Sequence, residues 1–198
     1  MSNILRGDII HIAVKQKIAE ILRHYKKKEI TAENLKSSAV LVPLFYNEGQ
    51  YHVLFTKRSS QVDFHKGQAC FPGGRPEPPD SNLLQTALRE TEEEIGLKAK
   101  DIVILGELDD NPTLTSGYVI SPFVAVISYP YPFKADPREV EEIFSVPLSA
   151  LMDEANVRQD KSGLGYTYEY EGHIIWGATA RIVKQFTELL KSDSGAPC

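Results

Sequence analysis

The sequence predicts an α/β or α+β layer sandwich, and three observations carry that prediction. Short apolar runs bounded by Gly, Pro and Asn recur through the middle of the chain, as strands do. Other segments repeat their apolar residues every three or four positions, as helices do. At 198 residues and 42% hydrophobic content, the chain is one compact domain by default, burying roughly 70% of its unfolded surface without a staple. Mixed strands with few helices then make packed layers rather than a bundle or an all-β barrel.

Taken in order, the first element is an amphipathic helix. Ile10, Val14, Ile18, Ile21, Leu22 and Tyr25 share one face, and Thr31–Ser38 reads as a polar connector. Residues 1–36 are therefore expected to be an N-terminal helical extension and residues 37–198 the main domain. Ala39–Phe45 and Tyr51–Thr56 form a hairpin around Asn47-Glu48-Gly49. Ser59–Gly74 reads as a loop with a short strand at Ala69–Phe71. Asn82–Ile95 is a helix, with Asn82 and Gln85 at capping-box spacing and Gly96 in the left-handed position that ends it. Strands follow at Ile102–Leu108 and Pro122–Ser128, then a strand or turn near Val140–Val146 and a short helix from near Ser149. A second hairpin, Tyr166–Tyr170 with His173–Trp176, precedes a closing helix, Ala178–Leu190.

Charge narrows the function classes. Residues 1–36 carry eight Lys/Arg against four Asp/Glu, a net of +4, so the other 162 residues hold 14 basic and 23 acidic groups, a net of −9. A nucleic-acid binder shows a basic body; this one is acidic. The Lys26-Lys27-Lys28 run reads as cations at a helix end. No apolar run approaches the roughly 20 residues of a membrane span. The N-terminus lacks a leader pattern, and Ala196-Pro197-Cys198 is not an address signal. Cys70 and Cys198 are the only cysteines, which excludes a disulfide framework. The expected location is cytoplasmic.

The candidate chemistry lies in Gly73-Gly74 and in Arg89-Glu90-Thr91-Glu92-Glu93-Glu94-Ile95-Gly96-Leu97. At about 100° per residue, Glu90, Glu93 and Glu94 occupy one arc beside the apolar stripe of Leu84, Ala87, Leu88, Thr91 and Ile95. A merely solvated acidic face would sit opposite the core. Carboxylates bordering the stripe stand at the rim of the body, where a cleft forms. Clustered carboxylate oxygens are what Mg²⁺ or Mn²⁺ takes, together with substrate phosphates. Gly73-Gly74 permits close backbone approach to the same ion.

This segment resembles the Nudix box, G-x5-E-x7-R-E-U-x-E-E-x-G-U, where U is bulky and apolar. Arg89, Glu90, Glu93, Glu94, Gly96 and Leu97 match its second half position by position. Thr91 departs at a U position. The upstream half is one residue longer, which places the family's lone Glu at Ser81, with Asp80 beside it. The resemblance implies an α/β/α sandwich with a mixed sheet, here preceded by the N-terminal helix, and hydrolysis of a nucleoside diphosphate linked to another moiety. It implies Glu90, Glu93, Glu94 and the Gly74 carbonyl as metal ligands. Glu93, Glu90 and Arg89 are then the catalytic set, with Glu93 a ligand or the general base and Arg89 orienting the cluster.

Upstream, Leu54-Phe55-Thr56-Lys57-Arg58-Ser59, Gly67 and Phe71-Pro72-Gly73-Gly74 resemble the coenzyme A-cleaving subgroup's L-L-T-x-R-S-x3-R-x3-G-x3-F-P-G-G. Asp63 stands where the second Arg is expected. Stretches in Leu108–Pro122, Glu139–Leu148 and Trp176–Arg181 look similar too. This resemblance implies cleavage of coenzyme A or acyl-coenzyme A to 3′,5′-ADP and 4′-phosphopantetheine, with Arg58, Lys57, Lys66 and Gly73 binding substrate. Asp63 motivates the alternative of another nucleotide, such as ADP-ribose or a dinucleotide. A non-catalytic nucleotide-binding module is disfavoured because all three helix carboxylates are present.

Of the remaining residues, Cys70 reads as a packed side chain, Trp176 and Tyr168 as core or hairpin pairs, and Glu139, Glu141 and Glu142 as solvated edge charge. The histidines show no metal-ligand spacing. The expected partner is a small nucleotide, with no nucleic acid and no membrane; the sequence is compatible with a homodimer.

Overall fold

A computed structural model of the chain describes residues 3–31, 34–60, 67–113, 116–159 and 165–193. Helix α1 (Asn3–His24) precedes the long hairpin of β1 (Lys36–Asn47) and β2 (Gln50–Arg58). Two short strands, β3 (Ala69–Cys70) and β4 (Gly73–Gly74), lead to α2 (Leu83–Ile95). Strands β5 (Ile102–Glu107), β6 (Asn111–Pro112), β7 (Tyr118–Ile127) and β8 (Val140–Pro147) follow, then α3 (Leu148–Met152). The chain closes with β9 (Val157–Gln159), β10 (Tyr166–Tyr170), β11 (His173–Trp176) and α4 (Gly177–Asp193).

The main sheet is mixed. Its strands run β8–β2–β1–β7–β5, with β1 and β7 parallel and every other pair antiparallel. Both tight turns predicted from sequence are present. Glu48 and Gly49 (φ 49° and 85°), like Glu171 and Gly172 (φ 47° and 82°), hold the positive φ pair that matches strand twist.

Period-two alternation builds a core on each face. Ala39, Leu41 and Phe45 of β1 face α2, where Ala87, Ile95 and Leu97 join Phe123, Ala125 and Ile127 of β7. Val40, Val42 and Leu44 face the other way, onto Ile18 and Leu22 of α1, Tyr168 and Ile175 of the small β11–β10–β9 sheet, and Ile182, Val183 and Phe186 of α4. The layers are therefore α2, sheet, then helices with the small sheet: the α/β/α sandwich with an N-terminal helix.

The β1–β2 hairpin is paired only from Leu44↔Val53 to Asn47↔Gln50. Beyond that point the two strands splay, and Ala69–Gly74 wedges between them. Thr56 and Lys57 of β2 pair with Cys70 and Ala69, while Ala39 and Val40 of β1 pair with Gly74 and Gly73. Pro43 falls between these two pairings of β1, where a missing N–H breaks neither ladder.

Several boundaries differ from expectation. β1 begins at Lys36, inside the expected connector, because its first residues pair with β7 from Lys36↔Tyr118. β7 itself starts four residues before Pro122. β4, β6 and β9 carry no sequence period and exist through tertiary pairing. Lys26–Lys28 lie past the end of α1. There Lys27 pairs with Glu107 at 2.5 Å and the Lys28 N–H with Asp109, fixing this stretch to the end of β5. Trp176 pairs with Thr167 across the hairpin but is 48% exposed, whereas Tyr168 is buried.

Candidate active site

Helix α2 starts where expected: Asn82 Oδ1 accepts the Gln85 N–H at 3.0 Å. Gly96, at φ 72°, returns its N–H to the Glu92 carbonyl and ends the helix. One face of α2 packs against β1, so the residues flanking that face meet the wedge filling the β1–β2 splay.

Arg89 is the organising cation. Its Nε and Nη2 hold Asp80 in a two-point contact (3.0 and 2.9 Å), Nη1 donates to Glu93 Oε2 (3.1 Å), and Nη2 also donates to Glu90 Oε1 (3.1 Å) and the Arg75 carbonyl (2.9 Å). Asp80 additionally accepts from the Thr86 hydroxyl and the Glu77 N–H. The Arg89 guanidinium, then these further donors, hold the Asp80 carboxyl far below the ordinary carboxylate range. Asp80 lies next to the position where the resemblance places a lone Glu. It was absent from the expected site set, although its place before the helix was a usable signal.

Two carboxylates face the wedge. Glu94 is 3% exposed and accepts the Gly73 N–H at 3.3 Å. Burial pushes its pKa up to about 8, against the pull of Arg58 and the Gly73 N–H and reinforced by Glu139 and Glu90. Glu90, half-buried, is also shifted upward by desolvation, with Arg89 opposing. Its carboxylate lies directly against Gly74: a Cβ there would stand 2.6 Å from Oε2 and no farther from Cδ and Oε1. A Cβ on Gly73, at φ 151°, would collide with the backbone of Ala39 and Val40. Both glycines are thus required, one by β1 and one by Glu90.

Arg58 ends β2 on the same sheet face as Leu54 and Thr56. It exerts its charge on Glu94 and bonds Cys70, yet its buried Nε has no partner among the described residues. Cys70 accepts or donates a hydrogen bond with the Thr56 hydroxyl, and burial pushes its thiol up to about 11, so it packs rather than reacts.

Arg89, Glu90, Glu93, Glu94, Arg58, Gly73 and Gly74 therefore lie in one neighbourhood, with Glu93 the exposed member at 57%. Lys57 does not join them. It projects to the opposite sheet face from Arg58 and pairs with Glu141 at 2.7 Å. Lys66, like Asp63 and His65, lies outside the described residues. Of the acidic patch expected at the solvated edge, Glu141 and Glu142 are engaged by Lys57 and His173, but Glu139 raises the pKa of both Glu90 and Glu94. Forty-five residues separate it from Glu94, and no local pattern in the sequence links them.

Among the described residues no three acidic, imidazole or thiol side chains stand together so as to hold a metal ion by themselves. The donor set nevertheless fits a hard cation: carboxylate oxygens of like charge, partly desolvated, held beside backbone that a side chain would block.

Residues 35–164 match the family model of the NUDIX domain. The chain belongs to the Nudix hydrolase family. It is 33% identical over 163 residues to the uncharacterized Nudix hydrolase NudL of Photorhabdus laumondii, covering 79% of this chain and 86% of that one. Identity is 32% over 159 residues to the NudL of Yersinia pestis, covering 77% and 79%. Among solved structures, the fold is shared with an Ap4A hydrolase of C. elegans (TM-score 0.55, 15% identity, 80% and 99% coverage). It is shared also with a MutT/nudix family protein of Enterococcus faecalis (TM-score 0.55, 17%, 96% and 75%). As a Nudix hydrolase the chain is an enzyme acting on phosphorus-containing anhydrides, in a family that generally uses divalent cations. Among the described residues no helix is long and apolar enough to cross a membrane.

Proposed function

We propose that this Nudix hydrolase cleaves the diphosphate bridge of coenzyme A or acyl-coenzyme A, giving 3′,5′-ADP and (acyl-)4′-phosphopantetheine. The observation that carries the reading is Arg58. The coenzyme A-type segment ends β2 with this residue, and its guanidinium stands beside Glu94 with a buried Nε that has no partner among the described residues. A buried donor without an acceptor is costly, and a phosphate oxygen of a substrate lying over Gly73-Gly74 is an acceptor of matching charge.

In this reading Glu90, Glu94 and the Gly74 carbonyl would hold the Mg²⁺ or Mn²⁺, with Glu139 as a further carboxylate. When bound, such an ion supplies Lewis-acid stabilisation of charge on the diphosphate and lowers the pKa of an attacking water. Arg89 fixes Glu90 and Glu93 in place, and is itself fixed by Asp80. Glu93, exposed and aimed by Arg89, takes the proton of the attacking water at its free carboxylate oxygen. Gly73 and Gly74 let β1 and the Glu90 carboxylate pack directly against the backbone beside the metal ligands.

The experiment is a panel of coenzyme A, ADP-ribose, NADH and nucleoside triphosphates with Mg²⁺ or Mn²⁺. Expected are 3′,5′-ADP release from coenzyme A, its loss on chelation, and its recovery on adding either ion. Asp63, which would repel a phosphate where the subgroup pattern has Arg, favours a second reading in which ADP-ribose or a dinucleotide is the substrate. Rapid ADP-ribose cleavage with inert coenzyme A would establish that reading and overturn the first.

A further inference from the structure

Away from the Nudix helix, α4 carries a partly buried guanidinium for which the described residues provide no carboxylate. Arg181 Nε and Nη2 both donate to Asn111 Oδ1 (3.2 and 2.9 Å), and Nη2 donates also to the Pro112 carbonyl (2.7 Å). Both acceptors are neutral and belong to β6. The nearest carboxylate in sequence, Asp110, is turned to the Ile30 N–H and the Ser121 hydroxyl. Burial depresses the Arg181 pKa, with no anionic neighbour among the described residues opposing it. The neutral acceptors fix the orientation of the guanidinium without balancing its charge, and a desolvated cation left so is expensive. Tying α4 to β6 needs only donors, which a neutral amide also has.

A line of hydrogen bonds runs from Arg181 to the Nudix helix. Pro112 is followed by Thr113, whose hydroxyl and N–H bond Tyr118. The Tyr118 hydroxyl accepts from Arg75 Nη1 at 3.5 Å, and the Arg75 carbonyl accepts from Arg89. Arg75 directly follows Gly74. Across the sheet, β4 and β6 are separated by β1 and β7 at the same level (Gly74↔Ala39↔Ser121, Ile120↔Asn111). That is three strand spacings, about 14 Å. An anion on Arg181 is therefore a different group from the diphosphate over Gly73-Gly74.

We propose that Arg181, oriented by Asn111 and Pro112, is a subsite for a phosphate monoester carried by the substrate apart from its diphosphate. Resting on the coenzyme A reading, this group is the 3′-phosphate of the ribose.

The test is calorimetric binding of 3′,5′-ADP and 5′-AMP to the full chain and to Arg181→Gln, which keeps amide donors for Asn111 and Pro112 but not the charge. The wild type should bind 3′,5′-ADP about tenfold or more tighter than 5′-AMP, the scale of one charge-assisted contact, and the ratio should fall to near one in the variant. If Arg181→Gln does not fold, Arg181→Lys takes its place; it keeps a cation but loses the two-point tether, and the ratio should be reduced. Absence of the preference in the wild type, or an unchanged ratio in the folded variant, overturns the subsite. A preference that depends on Arg181, in a protein that leaves coenzyme A uncleaved, refutes the coenzyme A reading alone.

Discussion

Gly73 and Gly74 are adjacent, yet alanine at each should fail in a different way. At Gly73 a Cβ meets backbone, 2.6 Å from Val40 Cα and closer still to the Ala39 carbonyl oxygen, at φ 151°. Neither the β1 backbone nor the positive φ yields cheaply. Overpacking and backbone strain of roughly 1–3 kcal/mol each sum to about 2–6 kcal/mol, or a Tm drop on the order of 4–24 °C for a domain of this size. At Gly74 the obstacle is the end of the Glu90 side chain, 2.6 Å away at Oε2 where ordinary contact begins near 3.4 Å. The carboxylate can swing aside, so the stability cost is below about 1 kcal/mol. That swing of roughly 1 Å misplaces a proposed ligand and lowers kcat/KM by about a hundredfold. Thermal unfolding and Mg²⁺-dependent hydrolysis, measured on both variants, separate the two effects. Full turnover by Gly74→Ala, or equal Tm losses for both variants, would refute this account of the wedge.

Other perturbations have equally definite outcomes. Because burial raises the Glu94 pKa from 4.5 to about 8, the folded metal-free protein holds a proton there that the unfolded chain releases between those values. Its stability is fully present below about pH 4.5 and is lost as pH rises towards 8. Glu94→Gln should flatten urea-unfolding free energies across that window, and an unchanged slope refutes the assignment. Arg89→Lys cannot bridge Asp80, Glu90 and Glu93 together; steady-state kinetics should show kcat/KM lower by about a hundredfold, and activity near wild type would contradict the orienting role. Glu139→Gln should impair turnover by tenfold or more on the scale of one electrostatic contact, roughly 1.4 kcal/mol, while Glu141→Gln, which loses only an exposed pair with Lys57, leaves it near wild type. The reverse order would place the wrong acid in the site.

Legibility in the sequence followed the range of the interactions. Helix α2 was readable because its cap, its period and its terminating Gly96 all act within a turn or two, and the arc of Glu90, Glu93 and Glu94 follows from that period alone. The two hairpins were readable from two-residue turns. The Ala69–Gly74 wedge was not, since two-residue strands have no period and exist only because β1 and β2 separate beyond Leu44 and Val53. Glu139 comes within electrostatic reach of Glu90 and Glu94 at the start of β8, a placement that nothing near Glu94 encodes. Lys57, paired with Glu141 away from the cluster, is a different case. Alternation along β2 already places neighbouring residues on opposite faces, so Lys57 and Arg58 could never both face α2.

The charge of the site explains why an acidic enzyme suits an anionic substrate. Arg89 touches Glu90 and Glu93, but its two-point contact is with Asp80, whose depressed pKa records where that positive charge is spent. Arg58 opposes Glu94 alone among the site carboxylates whose shifts name it. Glu90 and Glu139 thus add to the burial that raises the proton affinity of Glu94, and in the metal-free chain the strain is relieved by keeping a proton on Glu94 near neutral pH. A divalent cation relieves it better, at the cost of that proton, and turns the same oxygens into a place where a diphosphate gains attraction instead of repulsion. Metal affinity should therefore rise with pH up to about 8 and level off above it, with one proton released per ion bound below that point. Isothermal titration of Mg²⁺ or Mn²⁺ in buffers of different ionisation enthalpy measures that proton, and a pH-independent affinity without proton release would show that Glu94 does not take part.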